Sequence, residues 1–182
     1  MADGWQDRIV SSAEDSSRTH PADAVWGEQG GGFRQWETST VLGAGSDVWD
    51  WARSELLRWG VKTRSGFSVT PDRPVAPGDR PVIMAHAFGL SVREPVEVVE
   101  VVDTPDRVGF AYRTLPEHPI SGEEAFIVHR DAGAVVLTIR SLTRPSSTPR
   151  WRAAYPALLV AQRVARARYL RALRVRAPRP PG

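Results

Sequence analysis

The sequence predicts an α+β domain, with a curved antiparallel sheet of about six to seven strands gripping a long C-terminal amphipathic helix. Three observations carry that expectation. From Val61 to Leu142 the chain runs in β-type segments separated by Pro-, Gly- and Asp-containing turns, and short turns join antiparallel neighbours. The stretch from Pro149 or Pro156 to Leu173 has apolar residues on one side of a helical wheel and arginines broadly on the other. A chain of 182 residues is long enough for one domain with a real core, which such a helix can close by covering one face of the sheet.

The elements follow in order. Residues 1–32 read as a flexible N-terminal arm, rich in Ser, Asp, Glu and Gly, with Trp5 and Trp26 as the two residues able to dock on the domain. The arm is expected to be dispensable for folding. The domain proper spans 33–175, and 176–182 is a frayed Pro/Arg tail. Arg34 to Leu42 alternates as a first strand. A helix follows, with Ser46 as N-cap, Asp47 and Asp50 at the positive end of its dipole, and Gly60 as a left-handed C-terminal cap. Trp49, Ala52, Leu56 and Trp59 make its apolar stripe, read as core. Alternation at Val61, Thr63, Ser65, Phe67 and Val69 gives a second strand. After the loop TPDRPVAPGDRP come strands VIMAHAFGLSV, PVEVVEVV, VGFAYRTL, EEAFIVHR and AVVLTIRSL. The last helix is about 30 Å long at 1.5 Å per residue. Trp151, Leu158, Ala165, Tyr169, Ala172 and Leu173 face the sheet, and Arg152, Arg163, Arg166, Arg171 and Arg174 face solvent.

Composition narrows the function classes. Cysteine is absent, which excludes disulfides, thiolate catalysis and cysteine metal sites. The four histidines form no HExxH or HxH pair, so no metal site is expected. No cofactor is expected either, and no phosphate loop is visible; nor is there a Ser-His-Asp order with a nucleophile elbow. The N-terminus lacks the pattern of a secretory signal, and no apolar run is long enough to span a bilayer, so the expected location is cytoplasmic. The net charge of +3 is uneven: no acidic residue follows Asp131, whereas eleven arginines lie between Ala132 and Gly182. Such a segment can meet an anionic membrane surface or pair with the protein's own acidic strands. Nucleic acid is disfavoured, because the arginines lack interleaved exposed aromatics and no nucleic-acid motif appears.

Candidate chemistry concentrates between Val108 and Pro145. Glu123 and Glu124 are adjacent on a strand, so their side chains point to opposite faces. That argues against a paired-carboxylate site built from these two alone, and Glu124 is read as the inward one. Tyr112 and Thr114 share a face of the neighbouring strand, within cross-strand reach of Glu124. His118, held extended by Pro119, reads either as a turn histidine bonding backbone or as a general base. Arg144 is expected to hold Glu124 as a carboxylate through its guanidinium fork. Gln162 stands on the apolar side of the last helix, where a buried amide needs a partner. His86 is read as a core histidine.

The order of elements resembles the helix-grip fold of START-like and birch-pollen-allergen-like domains, with the second of their two short helices missing or reduced. At motif level GFAYRTLPEHPISGEEAFIV, then LTRP, then a helix with Gln162 and Tyr169-Leu170, resembles domain-of-unknown-function family nineteen-ninety. Leu42, Gly43 and Gly45 fit that family's Leu-Gly-x-Gly. The chain departs from the pattern at Arg113 and Glu117, where the family shows glycine, and at Thr143, where it shows serine. The resemblance covers about Phe33 to Leu173. It implies a cavity between sheet and helix, and it implies no activity.

The expected function is therefore a cavity-bearing domain that binds a small apolar or amphipathic molecule, with Tyr112, Thr114, His118, Glu123, Glu124, Arg144 and Gln162 as candidate ligand-binding residues. Two alternatives stand beside it. One is an enzyme using His118 and Glu124 for acid–base chemistry in the same cavity. The other is a peripheral membrane or protein-interaction module using the arginine-rich helix.

Overall fold

A computed structural model gives the structure of residues 17–87 and 90–174. The elements are β1 (Arg34–Ala44), α1 (Ser46–Leu57), α2 (Gly60–Thr63), β2 (Phe67–Thr70), β3 (Val82–Ala87), β4 (Leu90–Asp103), β5 (Arg107–Thr114), β6 (Ile120–Asp131), β7 (Ala134–Pro145) and α3 (Pro149–Ala172). The seven strands form one antiparallel sheet in the order β1-β7-β6-β5-β4-β3-β2. Every neighbour from β2 to β7 is consecutive in sequence, and only β1 returns from the far end to close against β7. Register shifts at Val41/Gly43 and Val98/Glu100 bend the sheet, as bulges do. The architecture is a helix grip: a curved antiparallel sheet holding a long C-terminal helix.

The core lies on the inner face. The α1 stripe of Trp49, Ala52, Leu56 and Trp59 is buried there against Phe110, Tyr112 and Phe126, and the Trp59 ring meets Phe110 edge-on at 4.8 Å. Three local expectations are corrected. The N-cap of α1 is Gly45, and no side chain caps the helix. The left-handed residue after α1 is Trp59, with φ 61, and not Gly60. Gly60 is required for a different reason: a Cβ there would stand 2.5 Å from the Glu55 carbonyl oxygen. The stretch after it is the short helix α2 and not a strand. The Trp59 carbonyl accepts from the N–H groups of Lys62 and Thr63, each at 2.9 Å, and Ser65 Oγ donates to the Val61 carbonyl at 2.6 Å. Val61 and Ser65 are thus one helical turn apart, a spacing that also satisfies period two. The expected strand VIMAHAFGLSV is divided between β3 and β4, and PVEVVEVV continues β4.

The outer face of the sheet is also covered. Ala111, Ala125 and Ile127 are fully buried on it. The expectation of a dispensable arm over 1–32 does not fit the contacts there. Arg140, 1% exposed, donates to the carbonyls of Thr19, His20, Asp23 and Ala24. Arg107 donates to those of Pro21 and Asp23, and Trp26 Nε1 donates to the Arg18 carbonyl at 2.9 Å. A loop without secondary structure stays in place when its backbone groups find such partners. Trp5, the rest of residues 1–16, and the tail 176–182 lie outside the described residues.

Helix α3 begins at Pro149 and contains Pro156. Its C-terminal end is anchored, with Tyr169 and Leu173 buried, whereas Val160 and Val164 are 58% and 50% exposed. Arg166 is not on the solvent face. Its guanidinium lies over the Trp36 ring at 4.1 Å and donates to Ser141 Oγ at 3.1 Å. Among the described residues no helix is long and apolar enough to cross a membrane.

Candidate functional site

Between the inner face of the sheet, α2 and α3 lies a cavity of about 570 Å³. Its apolar wall includes Phe67, Ile120, Leu142, Leu158, Ala161 and Ala165. Apolar surface predominates in the wall, and polar side chains that include Lys62, Glu94, Tyr112, Glu124 and Tyr169 also line it, a combination usual for small-molecule sites.

Lys62 is the centre of that polar group. The short helix α2 turns it inward, and it is only 4% exposed. Its Nζ donates to Tyr169 Oη at 2.7 Å and lies 3.0 Å from Glu124 Oε2. Four aromatic rings surround the ammonium, with centroids at 4.8 Å for Tyr169, 4.9 Å for Phe67, 5.2 Å for Tyr112 and 5.7 Å for Phe126. Such ring faces attract a cation. Burial lowers the Lys62 pKa, but Glu124 together with Tyr112, Tyr169 and Glu94 outweighs it, and the group is held well above the ordinary lysine value. Lys62 is therefore held as a cation and hydrogen-bond donor, not as a free amine nucleophile.

Glu124 faces inward, paired in register with Tyr112 and Ser141. Tyr112 Oη donates to Glu124 Oε2, the oxygen that also meets Lys62. Burial and the Glu124 charge raise the Tyr112 phenol well above its ordinary value, and burial likewise raises that of Tyr169. Both phenols stay protonated. Thr114 lines the cavity and its Oγ1 accepts from the Gly122 N–H at 2.9 Å. A Cβ on Gly122 would stand 1.8 Å from the Leu142 carbonyl oxygen, so only glycine lets β6 approach β7 at this point.

His118 lines the cavity as a neutral ring. Its Nδ1 accepts from the Ile120 N–H at 3.0 Å, which leaves the proton on Nε2. Burial, helped by the Lys62 charge, pushes its pKa down to about 4. The ring thus locks the turn before β6, and it does not bond to Glu124. Glu94 also faces inward, since its register partner Ile83 is fully buried in the core. Burial raises the Glu94 pKa, Lys62 opposes that rise and Glu124 adds to it.

The remaining candidates are dispersed. Glu123 borders the cavity, but its carboxylate is tied to the N-terminal segment. It accepts from Ser17 Oγ at 2.6 Å, Thr19 Oγ1 at 2.5 Å, and the N–H groups of Thr19 and Arg18 at 2.8 and 3.1 Å. Arg144 does not hold Glu124. It stands opposite Ser121, donates to Ser121 Oγ at 3.3 Å and lies 4.5 Å from the Phe33 ring centroid, while Lys62 supplies the cation. Gln162 lines the cavity and makes no hydrogen bond among the described residues. His86 is not a core residue: it is exposed on β3, between Ser68 Oγ at 3.3 Å and Ser91 Oγ at 3.1 Å. No group of three His, Asp or Glu side chains that could hold a metal ion occurs among the described residues.

Sequence reasoning missed Lys62, Glu94 and the polar role of Tyr169. One signal was available for Lys62. It is the only lysine among 24 basic residues, the other 23 being arginine. A chain that uses arginine at every solvated position places its lysine where a compact ammonium is needed.

The chain matches the family described as "Domain of unknown function (DUF1990)" over residues 18–172. A UPF0548 protein from Deinococcus radiodurans is 44% identical over 86 residues, which are 47% of this chain and 43% of that protein. The aligned stretch thus spans less than half of that relative's length. Among solved structures, Protein Ms6760 from Mycobacterium smegmatis has a TM-score of 0.54 at 12% identity, covering 80% of this chain and 92% of that one. Hypothetical protein jhp0584 from Helicobacter pylori has a TM-score of 0.53 at 14% identity, covering 78% and 85%. At such identities the likeness is one of fold. The family match runs from the N-terminal segment on the outer face to the end of α3 and takes in the whole cavity, and the chain belongs to the DUF1990 family.

Proposed function

We propose that this protein is a binding module that holds a small, largely apolar molecule between its sheet and α3. The observation that carries the reading is the cavity itself. About 570 Å³ of space is walled mainly by apolar side chains and carries one buried polar cluster able to orient a ligand head. Lys62, Glu124, Tyr112 and Tyr169 hold one another in place, so the polar cluster is preorganised, which lowers the ordering cost of binding. The acid–base alternative has less support, because His118 and Glu124 are each committed to other partners.

Titration with the neutral dye Nile red tests the reading. The expected result is a saturable blue-shifted emission that weakens at least about tenfold, some 1.4 kcal/mol, in Ala161→Trp, whose ring would occupy the cavity. Native mass spectrometry of gently purified protein should also show bound small molecules. An unshifted dye together with a bare protein mass would end the proposal. A second reading, docking of α3 on an anionic membrane, is favoured by the exposed Val160 and Val164 beside exposed Arg163 and Arg168. It requires salt-sensitive co-sedimentation with phosphatidylserine vesicles that Val164→Asp abolishes.

A further inference from the structure

We propose that the cavity prefers ligands whose apolar body ends in a protonated amine, with Glu94 as the counter-charge, over anionic amphiphiles of the same size; this deepens the ligand-binding reading above and rests on it. The argument begins from what is already satisfied. The Lys62 ammonium has Glu124, the Tyr169 hydroxyl and four ring faces. It leaves little for an incoming anion to neutralise. The carboxylates are less well provided. Glu124 Oε2 accepts from Tyr112 and forms the ion pair with Lys62, while Oε1 accepts from no group among the described residues. Glu94 has neither a hydrogen bond nor an ion pair among them, although it lines the cavity on the face that carries Ile83, Val96 and Val98.

The other charged groups at the cavity do not change this balance. The Glu123 carboxylate is consumed by Ser17, Arg18 and Thr19. Arg168 is exposed at the rim and reaches the Ser65 carbonyl at 3.5 Å. His118 is neutral, with its Nδ1 engaged by Ile120. Arg166 stands behind the lining, turned to the Trp36 ring and the Ser141 hydroxyl, and its charge acts on Glu124 from there. Among the side chains that line the cavity, Lys62 is matched to Glu124, and Glu94 is the carboxylate left without a bonded partner among the described residues. An uncompensated carboxylate in such a place either takes a proton or meets a cation. An alkylammonium head would supply the cation, and its N–H groups would fill the free oxygens with charge-assisted bonds. A carboxylate head would bring a third anion to a lysine that already has its partner, at a desolvation cost the site cannot return.

The test is displacement of Nile red near neutral pH by decylamine, decanol and decanoate, which share one chain length and differ in the head. Decylamine is expected to displace the dye at a concentration at least about tenfold lower than decanoate, with decanol between them. In Glu94→Gln the ratio between amine and acid should fall to within about threefold, about 0.7 kcal/mol. Decanoate binding as well as decylamine to the unaltered protein would overturn the inference while leaving the cavity reading intact. An amine preference that survives Glu94→Gln would overturn the role of Glu94. Failure of the dye and all three competitors to bind would remove both readings together. The comparison on the unaltered protein decides the preference even if Glu94→Gln does not fold.

Discussion

Lys62 keeps its charge in the interior only because Glu124, Tyr169 and the four rings stand around it. Removing one partner of such a pair leaves the other buried and uncompensated, which typically costs about 3–5 kcal/mol. Lys62→Met should be destabilised by about that amount in chemical denaturation, and Glu124→Gln added to it should recover a substantial part. If the two losses simply add, Lys62 and Glu124 do not act as a pair. Lys62→Arg should also be costly, since a planar fork is wider than the ammonium the rings enclose. His118 gives a pH dependence of defined sign. The unfolded chain takes up the histidine proton near 6.5, whereas the folded ring resists it down to about 4. Stability should therefore fall as pH falls through that window, by on the order of 3 kcal/mol, and stay flat in this respect above it. His118→Gln should remove that slope from the stability–pH curve; an unchanged slope would assign it to other groups.

The segment Ser17–Trp26 acts as a strap on the outer face, fastened by Glu123, Arg107 and Arg140. A truncation starting at Phe33 would leave Arg140 without its carbonyls and Glu123 without its donors, while uncovering Ala111, Ala125 and Ile127. A loss of several kcal/mol is expected, because apolar area returns to water and the hydrogen bonds that fasten the strap are lost, although Arg140 keeps Glu37. A melting temperature equal to that of the full chain would mean the strap is dispensable. Along α3, Arg166→Ala should cost about 1–2 kcal/mol, through its lost stacking on Trp36 and its bond to Ser141. Arg163→Ala, on the exposed side, should be nearly neutral. These elements differ in how far the sequence discloses them. The α1 stripe and strands β5 to β7 are legible, because period and turn chemistry are local signals. The strap is not, since its shape depends on Glu123 and Arg140 about a hundred residues away. Glu117 is an intermediate case: it holds φ 76 where the resembling family shows glycine, so the turn is required by the fold and this chain fills it with a residue that fits it less well.

Helix α3 is buried most deeply at its C-terminal end. Tyr169 and Leu173 bury its C-terminal turns against the sheet, while Val160 and Val164, nearer its start, remain open to solvent beside the cavity. The meeting of Tyr112 with Glu124 is readable from strand period and the short turn between them, whereas His118 and Arg144 go to other partners. The cation beside Glu124 is not readable, because Lys62 comes from a helical turn whose alternation imitates a strand and whose partners lie some fifty to a hundred residues on. The same asymmetry of α3 gives the last expectation. Few buried contacts mean a low local opening free energy. Amides between about Arg152 and Val164 should then exchange hydrogen faster than those between Arg166 and Leu173, measured by mass spectrometry on peptides from the folded protein. A ligand seated in the cavity would pack against Leu158, Ala161 and Ala165, giving the first half of the helix the apolar partners it lacks. Its exchange should slow on binding, while that of the C-terminal turns changes little, since a ligand stabilises only what it touches or orders. Uniform protection along α3 in the free protein would mean that the cavity is closed by a rigid wall, and access would then have to come from the side bordered by β3 and the turn before β6.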